Sequence, residues 1–82
     1  MNRLGFIILS ILFKEEAISK LSSMAVHEIA SLENLDLKEN TIYKKLKDFE
    51  RSGYICRGLK EGRADTYFIT PEGIECLERE RS

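Results

Sequence analysis

Residues 37–55 read LKENTIYKKLKDFERSGYI, residues 56–65 read CRGLKEGRAD, and residues 66–70 read TYFIT. At helical spacing, Ile42, Leu46 and Phe49 fall on one stripe. Asn40, Lys44, Lys47 and Arg51 gather on the opposite side, with Thr41 and Lys45 on one flank and Tyr43 on the other. The pattern predicts an amphipathic helix over 38–52 whose apolar stripe is buried. Its polar face has two readings. One is a solvated surface, because lysine is a good helix former and keeps its charge wet. In the other, Asn40 and Thr41 meet base edges while Lys44, Lys47 and Arg51 meet phosphates. The helix alone favours the first.

The segment after the helix shifts the balance. Ser52-Gly53 ends the helix, since glycine adopts the left-handed conformation that closes a helix at no steric cost. Tyr54-Ile55 then changes the period from helical to extended. Thr66-Tyr67-Phe68-Ile69 is β-branched and aromatic and reads as the return strand. Between them, Arg57, Lys60 and Arg63 surround the two turn-permissive residues Gly58 and Gly62. The prediction is a hairpin over 54–69 with a basic tip. A helix leading straight into such a hairpin is the arrangement of a winged helix-turn-helix, whose wing lies along the backbone or in the minor groove of DNA.

The flanking sequence supplies a scaffold for this unit. Residues 4–13, LGFIILSILF, are the most apolar run, too short for a membrane span and without the flanks of a secretory signal. They predict a helix apolar on more than one side, which either sits deep or meets a partner; a homodimer through Leu4, Ile8, Ile11 and Leu12 is one expectation. Ile18 and Leu21 continue that stripe, so the helix either runs to about Leu21 or breaks near Glu15-Glu16, with Ser22-Ser23 as a stop. Met24 to Leu32 reads as a second helix with Val26, Ile29 and Ala30 or Leu32 inward. A short turn over 33–37 comes next, with Asp36 or Lys38 at the start of the third helix. Thr70-Pro71-Glu72 is a helix-start signal, with Thr70 as cap, Pro71 at the first position and Glu72 at the positive end of the dipole. The predicted class is α+β and mostly helical: a three-helix core, a two-stranded β-wing and a C-terminal helix, in one domain spanning 1–82.

The chain has 82 residues and a net charge of −1, which by itself speaks against a polyanion partner. The distribution reverses that. Residues 38–63 carry eight basic and four acidic side chains, a net +4, whereas 1–37 and 64–82 are net −2 and −3. A polarised molecule orients toward a polyanion without being basic overall. Cys56 and Cys76 lie far apart without a CxxC pattern and read as structural thiols in a reducing cytoplasm, a redox pair being the alternative. His27 is the only histidine; no second histidine, cysteine cluster or paired carboxylate is expected to converge with it, and it is assigned no role. No nucleophile–base pair, metal-ligand spacing or phosphate-cradling loop is present, so neither enzyme, metal nor cofactor is predicted.

The run from Asn40 to Ile55 resembles the recognition helix of bacterial PadR-like regulators, within the broader MarR-like group: a Thr-apolar-Tyr-x-x-Leu core, an acidic residue, Gly and an apolar strand. Tyr67-Phe68-Ile69-Thr70-Pro71-Glu72-Gly73 resembles their strand-to-helix junction, and Leu4 to Leu12 their opening helix. The resemblance implies a sequence-specific transcriptional regulator, a repressor by preference, that binds double-stranded DNA as a homodimer. It places Asn40, Thr41, Tyr43 and Lys44 near bases or phosphates, and Lys47, Lys60 and Arg63 on the backbone or in the minor groove. Such regulators often carry a longer C-terminal dimerising region, and the sequence ends at Ser82, so effector sensing is not expected and dimerisation would use the first or last helix. The rival reading, from a different class, is a winged helix that binds protein instead of DNA.

Overall fold

The computed structural model describes residues 1–32 and 38–81. The expected turn over 33–37, with Asp36 as a possible cap, lies outside the described residues. In chain order the elements are α1 (Arg3–Lys14), a 3-10 turn (Lys20–Ser22), β1 (Met24–Ala25), α2 (Val26–Leu32), α3 (Glu39–Ser52), β2 (Ile55–Arg57), β3 (Thr66–Ile69) and α4 (Pro71–Arg81). The strands form one antiparallel sheet in the order β1-β3-β2.

Helix α1 is the axis of the core. Asn2 caps it by accepting from the Gly5 N–H at 2.8 Å. Ile8, Leu9 and Leu12 are fully buried and Ile11 nearly so, because α2, α3, α4 and β3 all pack on the helix. The apolar breadth of this segment is therefore explained within one chain. Ile8, Ile11 and Leu12 are not available as a dimer contact, and Leu4 is half-buried, which corrects that expectation. The helix also stops at Lys14 and does not reach Leu21. Glu16 takes a left-handed φ of 58°, its N–H bonds Phe13 O at 3.1 Å, and the Ala17 N–H bonds Leu12 O at 2.8 Å. This pair of bonds is a Schellman closure, with Ala17 and Leu12 both buried behind it. Beyond it Ile18 and Leu21 turn outward, Leu21 being 88% exposed. Ser22 closes a capping box on the 3-10 turn, its hydroxyl accepting from the N–H groups of Ile18 and Ser19 at 3.2 Å.

Met24 and Ala25 form β1 and not the first turn of the second helix. Met24 pairs with Tyr67 and Ala25 with Thr66. A two-residue strand leaves no period to read, and pairing with β3 is a tertiary contact. Helix α2 starts immediately after this strand, where Glu28 reaches back to the Ala25 N–H at 3.0 Å, the acidic half of a capping box. Ile29 is its buried residue, with Val26 and Ala30 half-buried and Leu32 exposed.

The expected stripe of α3 holds: Ile42 and Leu46 are fully buried and Phe49 is 5% exposed. Each such side chain stabilises the fold by about 1.5–3 kcal/mol. Lys38 precedes the helix and makes no side-chain cap. At the other end Gly53 has φ 81°. The N–H groups of Gly53 and Tyr54 return to Glu50 O and Phe49 O at 3.1 and 3.0 Å, while the Tyr54 and Phe49 rings meet at 6.0 Å. Chain direction thus reverses at a second Schellman closure, and β2 starts at Ile55.

Thr70 fixes where α4 begins. Its Oγ1 accepts from the Gly73 N–H at 3.1 Å and donates to Gly53 O at 2.7 Å, and its N–H bonds Tyr54 O at 3.0 Å. Leu77 is fully buried, while Ile74 and Cys76 are half-buried. Gly73 is required by closeness, since a β-carbon there would collide with the Tyr54 carbonyl and the Ile69 side chain. Gly73→Ala is therefore expected to destabilise the fold by about 1–3 kcal/mol, read as a lowered urea midpoint with circular dichroism of the native form unchanged.

Candidate nucleic-acid interface

Helix α3 leads into the hairpin, and Glu39 and Tyr43 of the helix line one cavity with Arg63, Ala64 and Asp65 of the hairpin. The ladder of β2 and β3 pairs Ile55 with Ile69, Cys56 with Phe68 and Arg57 with Tyr67. An isolated bridge between Glu61 and Ala64 closes the tip, with Gly62 and Arg63 at the turn and Gly62 at φ 63°. A positive φ at the first turn residue is what a primed hairpin turn demands. Gly58, by contrast, is not a turn glycine. Its N–H continues the ladder to Thr66 O at 2.9 Å, and a β-carbon would run into the Ser23 side chain. Ser23 and Thr66 hydroxyls bond each other at 2.7 Å, and Thr66 Oγ1 also donates to Leu59 O. These contacts tie the root of the wing to the residue before β1.

Asn40, Thr41, Lys44, Arg51, Lys60 and Arg63 are exposed, and Tyr43 is 40% exposed. Charge pairing separates the cations into two sets. Lys44, Lys60 and Arg63 have no ion-pair partner among the described residues. Arg51 pairs with Asp48, both well exposed, a contact that water screens and that contributes little. Lys47 is held in place on α3: its Nζ donates to Glu50 Oε1 at 3.3 Å and stands 5.4 Å from the Tyr43 ring centre. Arg57 is not a tip residue. It sits at the base of the wing, where Nε donates to Glu50 Oε2 at 3.0 Å and a terminal nitrogen lies 3.9 Å from Asp65. The sequence identified Arg57 as basic, but its link to Glu50 depends on how the strand leaves the helix and has no signal in the sequence.

Between α2, α3 and the wing lies an open cavity of about 290 Å³ lined by His27, Glu39, Tyr43, Arg63, Asp65 and Tyr67, among others. Two carboxylates do converge on His27, contrary to expectation: ligand atoms of His27, Glu28 and Glu61 lie within 4.8 Å of one another. They are the described residues that could hold a cation here, although Glu28 is already engaged as a cap. Tyr67 lies beneath and is fully buried, and its hydroxyl has no hydrogen-bond partner among the described residues. Cys56 on β2 is exposed and Cys76 on α4 half-buried, and both are free thiols. None of the described helices is long and apolar enough to cross a membrane.

Among the described residues, three antiparallel strands and four helices in this order, with an amphipathic helix running into a hairpin, decide the fold. The chain has a winged helix-turn-helix fold, similar to that of a PadR family regulator and of TubR. No protein-family model matches it. It is 29% identical over 77 residues to the DNA-binding protein TubR of a Clostridium botulinum C phage, covering 94% of this chain and 93% of that one. Among solved structures it superposes on a PadR family transcription regulator from Clostridium difficile with a TM-score of 0.78 and 26% identity, over 98% of this chain and 84% of that one. TubR from Bacillus megaterium pBM400 gives 0.81 with 20% identity, over 98% and 86%.

Burial raises the Tyr67 pKa above its ordinary 10.0, against a smaller opposing pull from Lys47. A hydrogen bond to Glu50 raises that of Lys47. The two shifts act on stability in the same direction as pH rises. Lys47 gains its partner in the folded state, so its contribution is present below the unfolded pKa and lost as pH climbs through the folded one. Tyr67 is held neutral in the folded state, so above pH 10 its ionisation favours the unfolded chain. Both therefore predict that stability falls as pH passes 10. Tyr67→Phe, which removes a desolvated hydroxyl without breaking a hydrogen bond, should stabilise the fold at neutral pH by about 1 kcal/mol, read as a raised urea midpoint, and blunt the alkaline loss.

Proposed function

We propose that this chain is a sequence-specific DNA-binding transcriptional regulator, a repressor by preference, acting in the cytoplasm as a homodimer. Residues 38–52 would serve as the recognition helix and the hairpin 54–69 as the wing, within a single domain over 1–82. The observation that carries the reading is that Asn40, Thr41, Tyr43 and Lys44 of α3 and the wing cations Lys60 and Arg63 are all exposed, with Tyr43 and Arg63 lining one cavity, in a chain whose net positive charge is confined to 38–63. The names of the similar proteins, a DNA-binding TubR and a PadR family transcription regulator, support it. In this reading Asn40, Thr41 and Tyr43 face base edges, and Lys44, Lys60 and Arg63 supply phosphate contacts. Lys47 and Arg51 stand beside them with acidic partners. Occupancy of a promoter then excludes polymerase sterically, and no reaction is catalysed. Two copies on a two-fold site double the contacts that one small surface offers.

Fluorescence anisotropy of labelled mixed-sequence duplex, titrated at low and then moderate salt, tests the reading. Affinity should fall steeply with salt, by about 0.9 in log–log slope for each phosphate neutralised. Lys44→Ala is expected to lower that slope by about one such contact, and Asn40→Ala to flatten discrimination between sequences while leaving mixed-sequence binding in place. A folded protein that ignores duplex DNA at low salt would sink the proposal in favour of a protein partner. Sedimentation velocity, alone and with DNA, reads the dimer.

A further inference from the structure

Glu50 occupies an unusual place for an acidic side chain on a surface otherwise rich in cations. Its carboxylate joins two elements, with Oε1 taking Lys47 of the same helix at 3.3 Å and Oε2 taking Arg57 of β2 at 3.0 Å. Lys47 and Glu50 are each only about 30% exposed as side chains, so their contact is less open to water than Arg51–Asp48, while Arg57, at 54%, reaches the same carboxylate from the solvent side. A carboxylate set between an ammonium and a guanidinium stands where a phosphate oxygen would stand. With Asp65 on the far side of Arg57, the row Lys47–Glu50–Arg57–Asp65 is neutral, although two of its four members are basic.

We propose that Glu50 is an internal phosphate mimic that withholds Lys47 and Arg57 from the DNA backbone, restraining sequence-independent binding while it locks the wing to α3. The inference rests on the DNA-binding reading above. Glu50 is a positioning residue here: it touches no nucleic acid and acts through the two cations it holds. The contacts left free, among them those of Lys44, Lys60 and Arg63, then set the salt dependence of the native protein.

The test is the salt slope of mixed-sequence duplex binding, measured by anisotropy on the full chain, for the native protein, Glu50→Gln, Lys47→Ala and the Glu50→Gln/Lys47→Ala pair. Glutamine keeps the shape and removes the charge. The expected result is several-fold tighter binding by Glu50→Gln at low salt, with the slope steeper by about 0.9 for each cation released. In the native background Lys47→Ala should leave the slope unchanged, whereas in the Glu50→Gln background it should remove part of the gain, a coupling that a double-mutant cycle isolates. An unchanged slope in Glu50→Gln overturns the inference. So does a gain that survives Lys47→Ala in full, which would mark a general loss of negative charge. If Glu50→Gln melts too readily to be measured, Lys47→Ala in the native protein still decides, because a slope lowered as much as by Lys44→Ala shows Lys47 already on the backbone. Failure of both the native protein and Glu50→Gln to bind DNA defeats the functional reading itself; native binding without the shift defeats only the role of Glu50.

Discussion

Gly53 lies where the two halves of the candidate interface meet, and the rest of the surface depends on how the chain turns there. Its left-handed φ of 81° lets α3 close on Glu50 and Phe49 and sends Tyr54 back over the Phe49 ring. Thr70 then clasps the same turn from the other end of the hairpin, through Gly53 O and Tyr54 O. One glycine and one threonine thus fix the start of the wing, the end of the wing and the first turn of α4 against the end of the helix. A β-carbon at position 53 would meet no neighbour, so the constraint is backbone conformation and not space. Position 73 is the reverse case, where a neighbouring carbonyl leaves no room.

This geometry makes the electrostatics local. The net charge of −1 hides a positive segment, yet within that segment pairing matters as much as number. Lys47 and Arg51 share the outward face with Lys44 in sequence, but the fold gives each of them a carboxylate and gives Lys44 none among the described residues. Counting basic residues therefore overstates the field that a polyanion meets. Of the cations expected to meet DNA, those left unpaired among the described residues are divided between the first half of α3, at Lys44, and the wing, at Lys60 and Arg63. A polyanion that meets all three must span helix and hairpin together, which is why the turn at Gly53 matters to binding as well as to folding.

Most of the architecture was legible because it is written in local chemistry. The stripe of Ile42, Leu46 and Phe49, the closure at Gly53, the return strand and the Thr70-Pro71 start are each decided within a few residues, and the structure keeps all of them. The misses share a different cause. Strand β1 exists only because β3 lies beside it; the end of α1 at Lys14 is set by Ala17 turning into the core; and Gly58 looks like a turn residue until Ser23 is placed against it. The site divides in the same way. Exposure of Asn40, Thr41 and Lys44 could be read from helical spacing, whereas the Glu50–Arg57 contact and the convergence of Glu28 and Glu61 on His27 require the wing to be placed against α2 and α3.

The fate of α1 bears on assembly. A helix this apolar invites a role as an interface, but its large side chains are consumed by the core, as a chain of 82 residues requires. Among the described residues, the large aliphatic side chains left outside are Ile18 and Leu21 after α1, Leu32 at the end of α2 and Leu59 on the wing. None belongs to α3, so the proposed dimer and the proposed helix contact with DNA need not compete for the same residues. A protomer whose proposed interface leaves Lys44, Lys60 and Arg63 unpaired would bind a polyanion weakly by itself, and joining two such surfaces would raise affinity without adding a new kind of contact. On this argument the smallness of the interface is not evidence against sequence-specific binding. It is the reason such a chain would act in pairs, with the restrained cations of each copy keeping the pair from settling wherever phosphates are dense.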